Sequence, residues 1–339
     1  MKKILSLLLC SALCVGMLSG CRFDISQTMK EQAAAFAQGK DTGEPIALGL
    51  DEALLEQIDK YSGSLYIPRI TVSSETVQSN PEDPTFAVSS EEDLMQVLAD
   101  SYVNIWKTVN IRYENDYLSD HTDQEKTELL YQLQNRVRRA DPLNASNMLS
   151  LKLSENVLFI AYYCSADMLK TRNEETMKMA REKAEQIRRV ATTEYQMVLE
   201  VNRLLCDEVV YPPLPCRQAA HTPYGALISH EAVCDGYASA AMLILRELGI
   251  PCDIQFGWGT NMVNPNPTDD ALHAWNLVQL NNRWYQLDIT WNDGLEPPNR
   301  FLLVADGFMT LTHKWDPELY PETPLLRFQS QKRSREPNL

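Results

Sequence analysis

Three residues in the C-terminal half of the chain could do chemistry by type and spacing. They are Cys234 in Ala232-Val233-Cys234-Asp235-Gly236-Tyr237-Ala238, His273 in His273-Ala274-Trp275-Asn276, and Asp288 in Trp284-Tyr285-Gln286-Leu287-Asp288-Ile289-Thr290-Trp291. A helical pattern follows Cys234, with Ala241, Ile244, Leu245 and Leu248 on one side, and Gly249 stops it just before Pro251. The cysteine thus stands at a helix start, where unpaired N–H groups and the macrodipole favour thiolate over thiol and can face a developing oxyanion. A thiolate nucleophile needs a proton shuttle, and His273 is the next polar landmark. The aromatic and aliphatic runs on either side of Asn281-Asn282 predict a β-hairpin, because that dipeptide tolerates positive φ. Leu280 then faces Arg283, and Asp288 falls opposite Trp275. This register puts His273, Trp275, Gln286 and Asp288 on one face and Asn276, Val278, Tyr285 and Leu287 on the other. A carboxylate at 288 can hold the imidazole by one nitrogen and leave the other for the cysteine.

Those three motifs, with Arg300-Phe301-Leu302-Leu303 and His313-Lys314-Trp315-Asp316 downstream, resemble the transglutaminase-like superfamily over roughly residues 193–320. The resemblance implies an α+β fold whose C-terminal papain-like core packs a helix-borne cysteine on an antiparallel sheet. It makes Cys234 the nucleophile, His273 the general acid/base and Asp288 the orienting carboxylate. The superfamily includes cross-linking transglutaminases, cysteine proteases, peptide N-glycanases and members that have lost catalysis. The activity it implies is thiol-dependent acyl transfer or hydrolysis on peptide or protein amides. The alternative is a non-catalytic envelope protein that uses the domain to bind peptide or glycan, and the intact Cys, His and Asp favour the enzyme. The superfamily's additional oxyanion donor lies upstream of the cysteine, where no unambiguous Gln or Trp stands; Tyr224 and His221 are the candidates. No EF-hand-like or clustered acidic loop is present, so calcium dependence does not carry over, and no metal or cofactor is expected. Trp275, Trp284 and Trp291 are expected to pack, and His121, His230 and His313 to be surface or locally hydrogen-bonded groups.

The elements before this region are an α/β alternation. Ser89-Ser90-Glu91-Glu92 opens a helix carrying Leu94, Val97, Leu98 and Ile105, and Val109, Ile111 and Tyr113 alternate as a strand. Thr122-Asp123-Gln124-Glu125 opens a second helix, the continuous apolar run Val157–Tyr163 predicts a buried strand, and a long charged helical pattern runs from about Glu174 to Leu205. These divide the chain into a signal at 1–20, a polar spacer at 21–87, a small α/β domain at 88–190, the transglutaminase-like domain at 191–325 and a frayed tail at 326–339.

Lys2 and Lys3 ahead of the apolar run Ile4–Leu18 read as an export signal, and Leu18-Ser19-Gly20-Cys21 resembles a lipobox with Cys21 as the lipidated residue. The expected location is the cell membrane, lipid-anchored and facing outside the cytoplasm, with a peptide or protein substrate in the envelope. With 31 Lys+Arg against 46 Asp+Glu there is no extended basic surface for phosphates, so nucleic acid is excluded as a partner. The eight cysteines form no CxxC pair, which argues against a structural zinc site. Cys206 and Cys216 would close a short loop if bonded, and buried thiols are the competing reading.

Overall fold

A computed structural model describes residues 77–80, 83–212, 216–259, 271–295, 297–325 and 327–328. The export signal, Cys21 and the helical pattern around Leu50–Tyr61 lie outside the described residues. Among the described residues no helix is long and apolar enough to cross a membrane.

The first sheet has five strands in the order β1-β2-β3-β5-β4, made of β1 (Val77–Asn80), β2 (Asp83–Val88), β3 (Thr108–Tyr113), β4 (Met148–Ser154) and β5 (Val157–Tyr162). Its one parallel pair, β2 with β3, is joined by helix α1 (Glu91–Asn104). Helix α2 (Asp123–Ala140) and the single turn α3 (Pro142–Ala145) complete this α/β unit. Thr122 and Glu125 cap α2 reciprocally, as the sequence predicts. Leu94, Leu98, Val109, Leu130, Leu133, Leu153 and Leu158 form its core.

Four details differ from the sequence reading. Strand β1 and all of β2 but Val88 lie inside the stretch read as spacer; short strands broken by Pro give little hydrophobic pattern, and only Val88 is plainly core. Ser90, not Ser89, caps α1, with its side chain accepting from the Asp93 N–H. Strand β5 is buried on one face only, leaving Phe159 47 % exposed despite its unbroken apolar run. The long helical pattern is two helices, α4 (Ala166–Val190) and α5 (Glu194–Glu208), because Thr193 and Gln196 form a capping box that starts a new helix.

Helix α4 links the two cores: Leu169 belongs to the first, and Ala180, Ala184 and Ile187 to the second. That second core is built around α6 (Cys234–Glu247), whose Tyr237, Ala241, Ile244 and Leu245 pack with Val201 and Leu205 of α5 and with Ile254, Val278 and Leu287 of the sheet. The sheet is antiparallel throughout, in the order β8-β7-β6-β9: β6 (Cys252–Gly259), β7 (Ala271–Leu280), β8 (Arg283–Leu287) and β9 (His313–Lys314). Arg327 and Phe328, in the stretch read as tail, are docked, with Phe328 stacked on Tyr195 at 5.4 Å and Arg327 donating to the Leu302 carbonyl.

The C-terminal end of α2 is fastened to the second unit. Arg139 makes a bidentate pair with Asp253 of β6, at 3.0 and 2.6 Å, under the Tyr320 ring. Arg246 of α6 donates to the carbonyls of Arg139 and Ala140, which satisfies acceptors that a helix end leaves open. Arg138 reaches Asp235 in the first turn of α6 at 3.0 Å.

Candidate active site

Cys234 is the first residue of α6 and is buried, with Val233 in extended conformation just ahead of it. The Val233 N–H donates to the Ala220 carbonyl, which brings the 3₁₀ turn Gln218–His221 against the helix start. Gly236 permits this approach: a Cβ there would stand 2.3 Å from the Ala220 oxygen, inside any tolerable contact. Gly236 is thus a packing requirement at the helix start.

The hairpin has the expected register. Leu280 pairs with Arg283, Asn276 pairs with Leu287, and Asn281 and Asn282 both take positive φ. His273 donates from Nε2 to Asp288 Oδ2 at 2.8 Å, and Trp275 donates to Gln286 at 2.6 Å on the same face. Strand β8 ends at Leu287, and Asp288 is the N-cap of the single turn α7 (Ile289–Asn292), where its Oδ1 accepts from the Trp291 N–H at 3.0 Å. Asp288 is fully buried, so its two oxygens must be satisfied within the protein.

A second histidine completes that requirement. His313 of β9, expected from sequence to be a surface or locally hydrogen-bonded group, is instead buried and donates from Nε2 to the same Asp288 oxygen at 3.0 Å. Its Nδ1 faces the Thr312 hydroxyl at 2.8 Å. Burial and the neighbouring His273 cation keep His313 below the ordinary histidine range, so it serves as a neutral N–H donor. Burial also opposes a charge on His273, but the Asp288 carboxylate and the Cys234 side chain outweigh it and raise the imidazole to about 10. Burial pushes Asp288 the other way, yet His273 and His313 hold it well below the usual carboxylate range. With Nε2 committed to Asp288, the His273 ring leaves Nδ1 for the thiol. His313 could have been found from its place in the downstream motif, but nothing in local sequence shows that it crosses to Asp288.

His273, Asp288 and His313 are also the one group among the described residues that could hold a metal ion, with one ligand atom each inside 4.8 Å. Both imidazole nitrogens converge on a single carboxylate oxygen at hydrogen-bond distance, which is the pattern of donors around an acceptor.

The cleft beside Cys234 lies between the two units. The second unit supplies Gln218, His221, Cys234, Asp235, Phe256, Gly257 and His273; the first supplies Gln134, Arg138, Ser146 and Met148. Tyr224, one oxyanion candidate, is not among the lining residues and carries the Arg172 guanidinium over its ring at 4.7 Å. His221 does line it, and so does Gln218, a buried amide upstream of the cysteine that the sequence reading passed over. His221 Nδ1 donates to Asp235 at 3.1 Å, and its Nε2 lies 3.8 Å from Cys216 Sγ. Burial disfavours the His221 cation, but Asp235 outweighs it and holds the ring well above the usual histidine range. Burial likewise works against the Asp235 anion, while His221 and Arg138 lower it to about 2. His121 and His230 are exposed, and among the described residues no disulfide joins Cys206 to Cys216.

A helix-borne cysteine facing a histidine–carboxylate pair on an antiparallel sheet is the arrangement of the papain-like class. Residues 181–289 match the family model of the transglutaminase-like superfamily, and this part of the chain is a transglutaminase-like domain. The human kyphoscoliosis peptidase is 28 % identical over 134 residues, covering 36 % of this chain and 20 % of that protein. The mouse protein of the same name is 32 % identical over 102 residues, covering 28 % and 15 %. The chain therefore spans a fifth or less of the length of these curated relatives. Among solved structures, the periplasmic domain of TgpA from Pseudomonas aeruginosa is 21 % identical with a TM-score of 0.27, over 43 % of this chain and 56 % of that one.

Proposed function

We propose that the protein is a thiol-dependent acyltransferase or hydrolase that acts on peptide or protein amides outside the cytoplasm, through Cys234, His273 and Asp288. The observation that carries this reading is the Asp288 carboxylate, fully buried and clamped by two histidines and a backbone N–H, behind a histidine whose free nitrogen serves the helix-start cysteine. In the ground state the pair is thiolate and imidazolium. The Cys234 sulfur attacks the amide carbon, and the negative charge that collects on the oxygen is met by first-turn N–H groups of α6 and the Gln218 amide. His273 gives its Nδ1 proton to the leaving nitrogen as the C–N bond breaks, leaving a thioester and neutral imidazole. An acceptor, water or an amine, then loses a proton to His273 and attacks the thioester carbon. The C–S bond breaks and the thiolate–imidazolium pair returns.

The matched relatives bear the name peptidase, which makes water the first acceptor to test. Lipid attachment at Cys21 and an outward-facing membrane location are part of the proposal and rest on the signal and lipobox-like residues. Comparing lipid labelling of the wild type and Cys21→Ala checks them, and equal labelling would sink the anchor. The chemical reading is tested by iodoacetamide labelling across pH, read by peptide mass spectrometry. Cys234 should alkylate at lower pH than a model thiol, and His273→Ala should remove that advantage. A Cys234 that labels no faster than the model thiol and ignores the loss of His273 would leave a peptide- or glycan-binding module as the better reading.

A further inference from the structure

The wall of the cleft opposite the catalytic hairpin belongs to the α/β unit, for which sequence offers no role. Its polar residues are in unequal states. Both polar atoms of Gln134 are engaged, its Oε1 accepting from Tyr102 and its Nε2 donating to the Ala145 carbonyl at 3.0 Å. Ser146, only 4 % exposed, has a buried hydroxyl with no partner, and the buried Nε of Arg138 has none either. Both residues line the space beside Cys234. An orphaned buried donor costs about 1–3 kcal/mol, so two on one wall call for a ligand.

The charges around them indicate its sign. Arg138 and the His221 imidazolium share one anion, Asp235. The adjoining Arg139–Asp253 pair is neutral in itself. On this wall two cations therefore face a single carboxylate, in a chain whose formal charge is −15. The cavity holds about 50 Å³, room for roughly three or four water-sized groups, which suits a carboxylate.

We propose that Arg138 and Ser146 form an anion subsite that selects peptide substrates carrying a carboxylate close to the reacting amide. A carboxylate only accepts hydrogen bonds, and the partnerless atoms are an N–H of a fixed guanidinium and a rotatable hydroxyl, both of them donors. Arg138 cannot swing away to follow a different ligand, being held by Asp235 on one side and lying 5.3 Å from the Phe256 ring centre on the other. The α/β unit would thereby determine specificity for a nucleophile carried by its neighbour. This inference rests on the catalytic reading of Cys234.

Three alkylating probes test it without a known substrate: N-iodoacetyl-glycinamide as the neutral reference, N-iodoacetyl-glycine with a terminal carboxylate, and N-iodoacetyl-aspartic acid α-amide with a side-chain carboxylate. In each, the Cys234 thiolate forms an S–C bond and expels iodide. Each rate is divided by the rate for N-acetylcysteine, and the anionic-to-neutral ratio is then taken. At least one anionic probe should be favoured about tenfold, the gain expected of one unit charge at short range in a partly buried site. Which anionic probe wins distinguishes a chain terminus from an acidic side chain. Ser146→Ala should reduce the ratio about threefold and Arg138→Gln should bring it to the model-thiol value. Both are read as ratios within one variant, so a general loss cancels. A ratio near one in the wild type, with the neutral probe still alkylating Cys234 faster than N-acetylcysteine, overturns the subsite and leaves the catalytic reading standing. A tenfold ratio that survives both substitutions also overturns it, since other groups would then hold the anion. Inertness of Cys234 to all three probes defeats the catalytic reading and this inference together.

Discussion

Two buried histidine–carboxylate pairs flank the cleft, His273–Asp288 and His221–Asp235, and each has a cysteine beside its ring. Their electrostatics are alike: in both, the carboxylate outweighs burial and holds the imidazole charged. They differ in backbone setting and in what else binds the carboxylate. Cys234 begins a 14-residue helix, whose first-turn N–H groups stabilise an anion, whereas Cys216 lies in irregular chain before a four-residue 3₁₀ turn. Asp288 is clamped by a neutral histidine and a backbone N–H, which leave its charge for His273; Asp235 is shared with Arg138, a permanent cation from the other unit. A Cys, a His and an Asp in contact do not by themselves make a nucleophile. On the proposed reading, the helix start and a carboxylate not shared with an arginine separate the Cys234 set from one that fastens two units together.

The largest effects should fall on one set only. Cys234→Ala should lower turnover by about 10⁴-fold or more, while the fold, read by circular dichroism, persists. The two carboxylates separate catalysis from stability. Asp288→Asn should cost about 10²–10⁴-fold in turnover by leaving the His273 cation without its counter-charge. Asp235→Asn should cost less activity but about 3–5 kcal/mol of stability in denaturant unfolding, because Arg138 keeps its charge and loses its partner. If Asp235→Asn proves the more damaging to turnover, the assignment of roles is reversed.

How far this contrast was legible in sequence depends on distance along the chain. Helix-start placement of Cys234 and the register that puts His273 beside Asp288 follow from local pattern, since both are decided within one helix or one hairpin. His313 and Arg138 were not legible as site residues. His313 lies 25 residues from Asp288 and Arg138 lies 97 from Asp235, so only tertiary packing brings them together. Gln218 was overlooked because its position depends on a 3₁₀ turn packed against Gly236 rather than on spacing. The break between α4 and α5 was readable in principle from Thr193 and Gln196, but the helical period runs through it.

pH sharpens the comparison, because it should treat the pairs alike in stability and differently in reactivity. An unfolded histidine loses its proton near about pH 6.5, and His273 in the fold keeps it to about 10. Its contribution to stability is therefore full below about pH 6.5 and is lost as pH rises through about 10. Asp288, held low, contributes above the ordinary carboxylate range of about 4 and loses that as pH falls toward its depressed value. Thermal unfolding of His273→Gln and of His221→Gln should each depend less on pH above about 6.5 than the wild type does. Alkylation should distinguish them, with His273→Gln moving the Cys234 profile toward a model thiol and His221→Gln leaving it near the wild type. Cys206, raised to about 12 mainly by burial and then by nearby carboxylates, and Cys252, pushed up by burial, are the slow internal controls. Replacing His313 by Gln should reduce turnover by about tenfold, the worth of one buried hydrogen bond to a charged group.

The smallest expected effect is at Cys216, and it is the one that would most directly break the comparison. Its sulfur lies 3.8 Å from His221 Nε2, a long and weak contact, while His221 is held by Asp235 at 3.1 Å from the other nitrogen. Serine at 216 keeps a small polar atom facing the ring and leaves the Asp235–Arg138 link intact. Cys216→Ser should therefore change turnover by less than about twofold and the unfolding free energy by no more than about 0.5 kcal/mol, the usual range for a substitution outside a core, cap or ion pair. In Cys234→Ala protein, Cys216 should react with iodoacetamide no faster than N-acetylcysteine at neutral pH, because no helix start supports its thiolate. A tenfold loss of turnover in Cys216→Ser, together with rapid labelling of Cys216 in Cys234→Ala, would mean that contact with a charged imidazole is enough to activate a thiol here and that helix placement is not what separates the two sets.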